Sequence, residues 1–199
     1  MELQEPAIAY GNRKHTIEEY LEMENASLEK HEYYLGEIFS MAGAGIQHNI
    51  IAKNILSTLD KKLSKSPCQP FNSDTRIFIE QKILFTYPDV SIICDEPITF
   101  ENDGISVLNP SIIFEVLSPS TKDYDRKGKF LLYRNIKDLK SYVLVESDTI
   151  KIEVYHINKH DLWEMKEYSD INEYLRLPSI PVNLTLKEIY KKTKLISTI

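Results

Sequence analysis

The sequence has 199 residues, of which 42% are hydrophobic and 27% charged, and its formal net charge at pH 7 is -6. This length and composition are typical of a soluble globular protein with one sizeable core. No apolar run approaches the roughly 20 residues that cross a bilayer, and the N terminus lacks a signal-peptide pattern, so we expect a cytoplasmic protein that makes no membrane contact. The acidic net charge excludes attraction of the whole surface to nucleic acid.

One segment is basic within this acidic chain. Residues 119–140 contain seven Lys or Arg against three Asp, a local charge of +4. Such a patch could contact nucleic acid locally. On charge alone, a solvated helix face explains the segment equally well.

The first third of the chain predicts a helix, a hairpin and a second helix. Thr16 stands three residues before a glutamate, the spacing of a capping box, and predicts the start of a short helix. Segment 31–41 is typical of two short strands around a turn at Leu35-Gly36. Apolar residues at helical spacing predict the longest helix over 46–64.

The remainder predicts mainly strands. The expected strands span 74–79, 89–94, 141–145, 150–157 and 162–168, with a loop or lid at 95–109 and a closing helix over 184–192. We therefore predict an α/β (mixed α+β) fold: a mixed sheet flanked by helices, with the N-terminal helix and hairpin added to it. A single domain is expected over 16–192, between an N-terminal tail at 1–15 and a C-terminal tail at 193–199.

A glutamate lies inside the most apolar predicted strand. Glu115 is surrounded by isoleucine, phenylalanine, valine and leucine between Pro110 and Pro119, a pattern typical of a strand buried on both faces. A carboxylate in such surroundings is neutral, paired with a base or bound to a cation. A helix is expected to follow, capped by Ser120 or Thr121 and ending near residue 134.

Two acids and a lysine could form a hydrolytic metal site. Asp89 follows a proline at the start of one predicted strand, Glu115 lies in the next, and the following helix carries lysines. Mg²⁺ prefers oxygen ligands and keeps several waters, so two carboxylates and the backbone carbonyl of Val116 could hold it beside a phosphate. From spacing alone, a surface aspartate and a paired core glutamate remain the alternative.

Longer strings in the sequence carry a resemblance to a known family. They are Glu32-Tyr-Tyr-Leu-Gly-Glu-Ile-Phe-Ser-Met-Ala, His48, Pro88-Asp89-Val90, Phe114-Glu-Val-Leu-Ser-Pro-Ser-Thr, Asp125-Arg126 and Lys129-Phe-Leu-Leu-Tyr133. Together they resemble the Uma-two family of restriction-endonuclease-like proteins, within the PD-(D/E)XK nuclease superfamily. The resemblance runs from about residue 16 to 192 and implies a restriction-endonuclease-like core.

The resemblance implies roles for individual residues. Asp89 and Glu115 match the two metal-binding acids, and Glu37 matches a further acid that would contact metal or water. The superfamily lysine should stand two residues after Glu115, where this chain has a leucine. The family pattern moves that lysine to the next helix, where Lys129 matches it and Lys127 is the less favoured substitute.

Other residues are weaker candidates. His48 matches a family histidine, and either an accessory role in the site or a structural hydrogen bond would explain it. Arg76 and Arg126 could bind phosphate, although a structural ion pair is the expected role of each. The two cysteines lack metal-binding spacing, so we expect buried or idle thiols.

The leading hypothesis is an endonuclease that uses Mg²⁺ or Mn²⁺ and metal-activated water to hydrolyse DNA phosphodiester bonds. The resemblance also implies a homodimer. An alternative is a catalytically inactive nuclease fold with a binding or regulatory role, and a third is a metal hydrolase acting on another substrate. Metal titration and competition by a small phosphoester would separate these alternatives.

Overall fold

A computed structural model describes residues 13–41, 43–100, 103–118, 122 and 124–196 of the chain. In chain order the strands are β1 (His31–Tyr34), β2 (Glu37–Ser40), β3 (Cys68–Asn72), β4 (Ile77–Ile79), β5 (Leu84–Thr86), β6 (Val90–Cys94), β7 (Ile112–Leu117), β8 (Ser141–Glu146), β9 (Ile152–Ile157), β10 (Trp163–Tyr168), β11 (Tyr174–Arg176) and β12 (Asn183–Thr185). The helices are α1 (Ile17–Ala26), α2 (Ile46–Leu63), α3 (Phe130–Tyr133) and α4 (Leu186–Ile189), with a 3₁₀ turn at Glu80–Lys82 and a π-helix at Tyr124–Lys129. None of the helices in these ranges is long and apolar enough to cross a membrane.

A six-stranded mixed sheet forms the centre of the fold. Its order is β10-β9-β8-β7-β6-β3, and only β7 and β8 run parallel. All six residues of β7 are buried, which confirms the prediction of a strand covered on both faces. Its even-numbered residues pack against α2, and its odd-numbered residues face α3 and β4. Glu115 therefore projects toward α3, where the chain places its polar partners.

A second sheet, β2-β1-β5-β4, is antiparallel and packs with α1 around an aromatic cluster. The pairing of β1 with β5 joins Tyr33 to Phe85 and Tyr34 to Leu84. This pairing matters for function because it puts Glu32 of β1 next to Thr86 of β5.

Several predicted elements are confirmed. Thr16 caps α1 in a capping box, the hairpin turns at Leu35-Gly36, and the longest helix begins at Ile46. Gly36 has φ +91°, a conformation that glycine adopts without strain, which explains its place in this turn. The α+β class with a mixed sheet is also confirmed.

Other local predictions were wrong. The strand expected over 74–79 is only β4, and the closing helix over 184–192 is a single turn preceded by β12. Strand β3 was missed because Pro70 lies within it; the strand is at the sheet edge, where a missing N–H donor is tolerated. The helix caps expected at Ser120 or Thr121 lie outside the described residues.

The two cysteines are not idle thiols. Cys68 of β3 and Cys94 of β6 are directly opposite each other in the ladder and form a disulfide. They are 26 positions apart in sequence, so only the pairing of the two strands reveals their proximity.

The chain ends predicted as tails contact the fold where they are described. The backbone N–H of His15 donates to the carbonyl of Gly36, and the hydroxyl of Tyr33 donates to the carbonyl of His15. At the other end Thr193 is buried. Residues 1–12 and 197–199 lie outside the described structure.

Candidate active site

Glu115 is the centre of a buried polar cluster. One carboxylate oxygen, Oε1, accepts hydrogen bonds from Lys129 Nζ at 3.2 Å and from the Tyr133 hydroxyl at 3.0 Å. Burial raises the pKa of Glu115 from its usual 4.5 to about 8; Lys129 opposes this rise, and the acids Asp125, Asp89 and Glu32 add to it. Glu115, Glu32 and Asp125 all lie within 3.7 Å of the Lys129 ammonium.

Lys129 reaches Glu115 from the π-helix that precedes α3. Its ammonium is 3.2 Å from Glu32, 3.2 Å from Glu115 and 3.7 Å from Asp125. Burial lowers the pKa of Lys129, but the charges of Glu115 and Glu32 raise it by more, so the pKa of Lys129 lies well above its usual value. This direction favours the protonated ammonium, which suits charge stabilisation better than the role of a general base.

Two hydroxyl groups complete the interior of the cluster. The Tyr133 hydroxyl donates a hydrogen bond to Glu115, and the Thr86 hydroxyl donates one to Glu32. Each hydroxyl has one proton to give, so each buried glutamate receives one hydroxyl donor and shares the ammonium of Lys129. This pattern orients both glutamates as hydrogen-bond acceptors.

Asp89 lies beside the second oxygen of Glu115. Its backbone N–H points to Glu115 Oε2 at 3.4 Å, and its Oδ2 accepts from the backbone N–H of Val116 at 2.7 Å. These contacts follow from the antiparallel pairing of β6 with β7, which sets the start of one strand against the end of the other. The proline-aspartate pair and the buried glutamate therefore form one site.

His48 closes the site from the first turn of α2. Its Nε2 is 3.1 Å from Asp89 Oδ2. Burial lowers the pKa of His48, but the hydrogen bond and charge of Asp89, followed by the charge of Glu115, raise it above its usual value. His48 Nδ1 is buried without a hydrogen-bond partner among the described residues. A buried polar atom of this kind normally has a hydrogen-bond partner, such as a water or a ligand oxygen.

The cluster opens to solvent on the Asp89 side. The side chains of Asp89 and His48 are 18% and 13% exposed, whereas those of Lys129 and Glu115 are 9% and 6% exposed. A phosphate would therefore meet Asp89 and His48 first, with Lys129 behind Glu115.

The donor set fits a divalent cation that keeps much of its water. Among the described residues, no three His, Cys, Asp or Glu side chains form a complete cage. Asp89 and Glu115 are adjacent carboxylates, however, and the buried acids outnumber Lys129. Mg²⁺ characteristically binds through one or two carboxylates together with waters and phosphate oxygens.

The two glutamates of the hairpin lie in different surroundings. Glu37 is on the exposed end of β2, where its carboxylate contacts Lys14 at 2.7 Å, and the structure does not bring it into the cluster. Glu32, in the same motif, is the buried acid that contacts Lys129. The only local signal for Glu32 was a charged residue inside a short, largely aromatic strand.

The two lysine candidates are separated by the structure. Lys129 is buried among the acids, whereas Lys127 is exposed on the opposite side of the π-helix. Val116 contacts Asp89 through its N–H, and the use of its carbonyl as a metal ligand stays a prediction.

Both arginine candidates take part in ion pairs within the protein. Arg76 is buried and pairs with Asp103 at 2.8 Å, while its Nε donates to Ser106. Arg126 pairs with Glu146 and Glu153. Both arginines therefore form the structural ion pairs that we expected from the sequence.

The Arg76 pair leads to a stability prediction. Asp103→Ala leaves a buried guanidinium, whose side chain is 2% exposed, without its counter-ion. Urea denaturation should show a loss of about 3–5 kcal/mol in the free energy of unfolding. The double variant Arg76→Met/Asp103→Leu should recover much of this loss because it removes both charges. A loss below about 1 kcal/mol for Asp103→Ala would contradict the buried pair.

The raised pKa of Glu115 predicts a pH dependence of folding in EDTA. Between pH 4.5 and about 8 the folded protein holds a proton that the unfolded chain has released, so stability falls as pH rises through this range. The pKa of His48 is also raised, so His48 adds to the loss of stability as the pH rises above its usual pKa of 6.5. Glu115→Gln should flatten this decline, by an amount on the order of a few kcal/mol. Denaturation at several pH values checks this, and an equally steep decline in Glu115→Gln would refute it.

Comparison with known proteins identifies a family. The family model "Uma2: Putative restriction endonuclease" matches residues 17–188. "Uncharacterized protein slr1290" of Synechocystis sp. is 37% identical over 174 residues, which cover 87% of this chain and 90% of that protein. "Uncharacterized protein sll1609" of the same organism is 36% identical over 152 residues, 76% of this chain and 86% of that protein.

A solved structure shares the fold. The crystal structure of a "putative nuclease belonging to DUF820" from Anabaena variabilis has a TM-score of 0.69 and 20% identity, and the match covers 88% of this chain and 97% of that one. The family match spans the chain from α1 to α4 and includes every member of the cluster around Glu115. The protein therefore belongs to the Uma2 family, described as "Putative restriction endonuclease".

Proposed function

We propose that the protein is a DNA endonuclease that hydrolyses phosphodiester bonds with Mg²⁺ or Mn²⁺ held at Asp89 and Glu115. One observation carries the proposal: Asp89, Glu115 and Lys129, from three separate segments, meet in one cluster that opens to solvent at Asp89. Membership of the Uma2 family supports DNA as the substrate.

The roles follow from the contacts. Val116 N–H and His48 hold one oxygen of Asp89, and Lys129 and Tyr133 hold one oxygen of Glu115. The remaining oxygens of the two acids are the ones we assign to the cation. A bound Mg²⁺ or Mn²⁺ would supply positive charge to the phosphate and acidify water beside it.

Lys129 supplies a fixed charge behind the acids. Because it stays protonated, it offsets the negative charge that accumulates as the phosphate is attacked. His48 is assigned a positioning role toward Asp89, with its unpartnered Nδ1 available to a water or a phosphate oxygen. The homodimer implied by the resemblance is part of the proposal, since two copies would supply one site for each strand of a duplex.

Cleavage assays test the proposal directly. Supercoiled plasmid, linear duplex and single-stranded DNA would be incubated with the purified protein and Mg²⁺ or Mn²⁺, with EDTA as the control. Metal-dependent cleavage of at least one form is expected. Cleavage that persists in EDTA would contradict the metal role, and metal-independent DNA binding without cleavage would favour the inactive nuclease fold.

A further inference from the structure

Arg126 lies on the segment that delivers Lys129 to the site. The π-helix Tyr124–Lys129 is one wide turn, with Asp125 and Lys129 directed into the cluster and Lys127 directed to solvent. π-Helical turns are rare, and their register decides which side chain faces inward. The contacts that fix this turn therefore decide whether Lys129 or Lys127 lies against Glu115.

Arg126 holds the turn against two strands of the main sheet. The Arg126 guanidinium pairs with Glu146 at the end of β8. It also contacts Glu153 of β9 through Nε at 3.3 Å and through Nη2 at 3.2 Å. The side chains of Glu146 and Glu153 are 12% and 9% exposed, so these pairs are shielded from solvent far more than surface pairs. A planar guanidinium can bridge two carboxylates in this way, whereas a lysine ammonium cannot present the same fork.

The turn has a second fixed point on the same sheet. The hydroxyl of Tyr142, in β8, donates to the backbone carbonyl of Asp125 at 3.0 Å. Arg126 and Asp125 are thus both attached to β8, the strand that runs parallel to β7 and pairs Leu144 with Glu115. The position of Lys129 relative to Glu115 is set through this shared strand.

We infer that Arg126 is a positioning residue: its bridge to Glu146 and Glu153 fixes the register of the π-helix and keeps Lys129 on Glu115. This inference rests on the proposed function for its catalytic consequence, but its structural content does not need activity. It is a different role from the phosphate binding considered for Arg126 from the sequence, and the two roles predict different kinetics.

Chemical labelling of lysines tests the inference without an activity assay. In the wild type, acetylation followed by mass spectrometry should find Lys129 protected and Lys127, on the same turn, fully reactive. In Arg126→Gln, labelling of Lys129 should rise at least about tenfold toward that of Lys127. The matched control is Arg134→Gln, which removes the same charge from an exposed arginine after α3 and should leave Lys129 protected.

A kinetic cycle separates positioning from DNA contact. Arg126→Gln should lower kcat with little change in KM. In a Lys129→Gln background it should lower kcat no further, because each change by itself already removes the Lys129 ammonium from Glu115. A DNA contact would instead raise KM and add its effect to that of Lys129→Gln. Arg126→Lys, which keeps the charge but lacks the fork, should show an intermediate phenotype and serves if Arg126→Gln does not fold.

The outcomes are distinguishable from those of the proposed function. Lys129 that stays protected in folded Arg126→Gln and Arg126→Lys would overturn the inference whether or not the protein cuts DNA. If labelling of Lys129 rises in Arg126→Gln but the wild-type protein cuts no DNA, the inference is supported and only the nuclease proposal is overturned.

Discussion

Asp89→Asn should abolish both DNA cleavage and binding of Mn²⁺ at the site. The carboxamide keeps the shape of the side chain and can still accept from Val116 N–H, but it removes the negative charge that the cation needs. Cleavage should fall by at least about 100- to 1000-fold, the scale seen when a charge-stabilising group is removed from an active site.

A matched surface variant controls for general charge effects. Asp74→Asn removes the same charge from an aspartate whose side chain is 72% exposed and pairs with Lys30. It should leave cleavage and Mn²⁺ binding unchanged. Calorimetric titration with Mn²⁺ and plasmid cleavage would be measured on both variants, and equal losses in the two would sink the assignment of Asp89.

Lys129→Gln should separate metal binding from catalysis. Removing the ammonium makes the cluster around Glu115 and Glu32 more negative, which favours protons and cations alike. The divalent ion carries two positive charges against one for the proton that it displaces, so the loss of the ammonium does not disfavour the ion. Mn²⁺ affinity should therefore be retained or increased, while cleavage falls by about 100- to 1000-fold.

Lys127→Gln is the informative comparison because it removes the same charge two residues earlier. The structure exposes Lys127, so this variant should keep cleavage within about threefold of the wild type and should weaken DNA binding only slightly, through lost long-range attraction. If Lys127→Gln lost cleavage and Lys129→Gln did not, the assignment of the site lysine would be reversed. Loss of Mn²⁺ binding in Lys129→Gln would show that the lysine supports the fold of the site rather than its chemistry.

Local sequence patterns were sufficient for features that depend on neighbouring residues. The capping box at Thr16, the turn at Gly36 and the buried strand around Glu115 each follow from side chains within a few positions of one another. The resemblance to a family then selected Asp89 and Lys129 as partners of Glu115, and the structure brings all three together.

Residues that meet across the fold could not be assigned in this way. Periodicity indicates which face of a strand is buried, but it does not say which strand covers that face, so no local pattern pointed to Glu32 as a partner of Lys129. The pairing of β1 with β5 decides that Glu32 meets Thr86, and the closeness of β8 and β9 decides that Arg126 pairs with both Glu146 and Glu153.

The sequence by itself thus determined the capped first helix, the hairpin turn and the presence of a carboxylate in an apolar strand. The tertiary structure alone decided that Tyr133 donates to that carboxylate, that Glu32 contacts Lys129, and that Cys68 pairs with Cys94. The physical reason is that each of these contacts joins segments far apart in the chain, and its free energy depends on packing that no local pattern encodes.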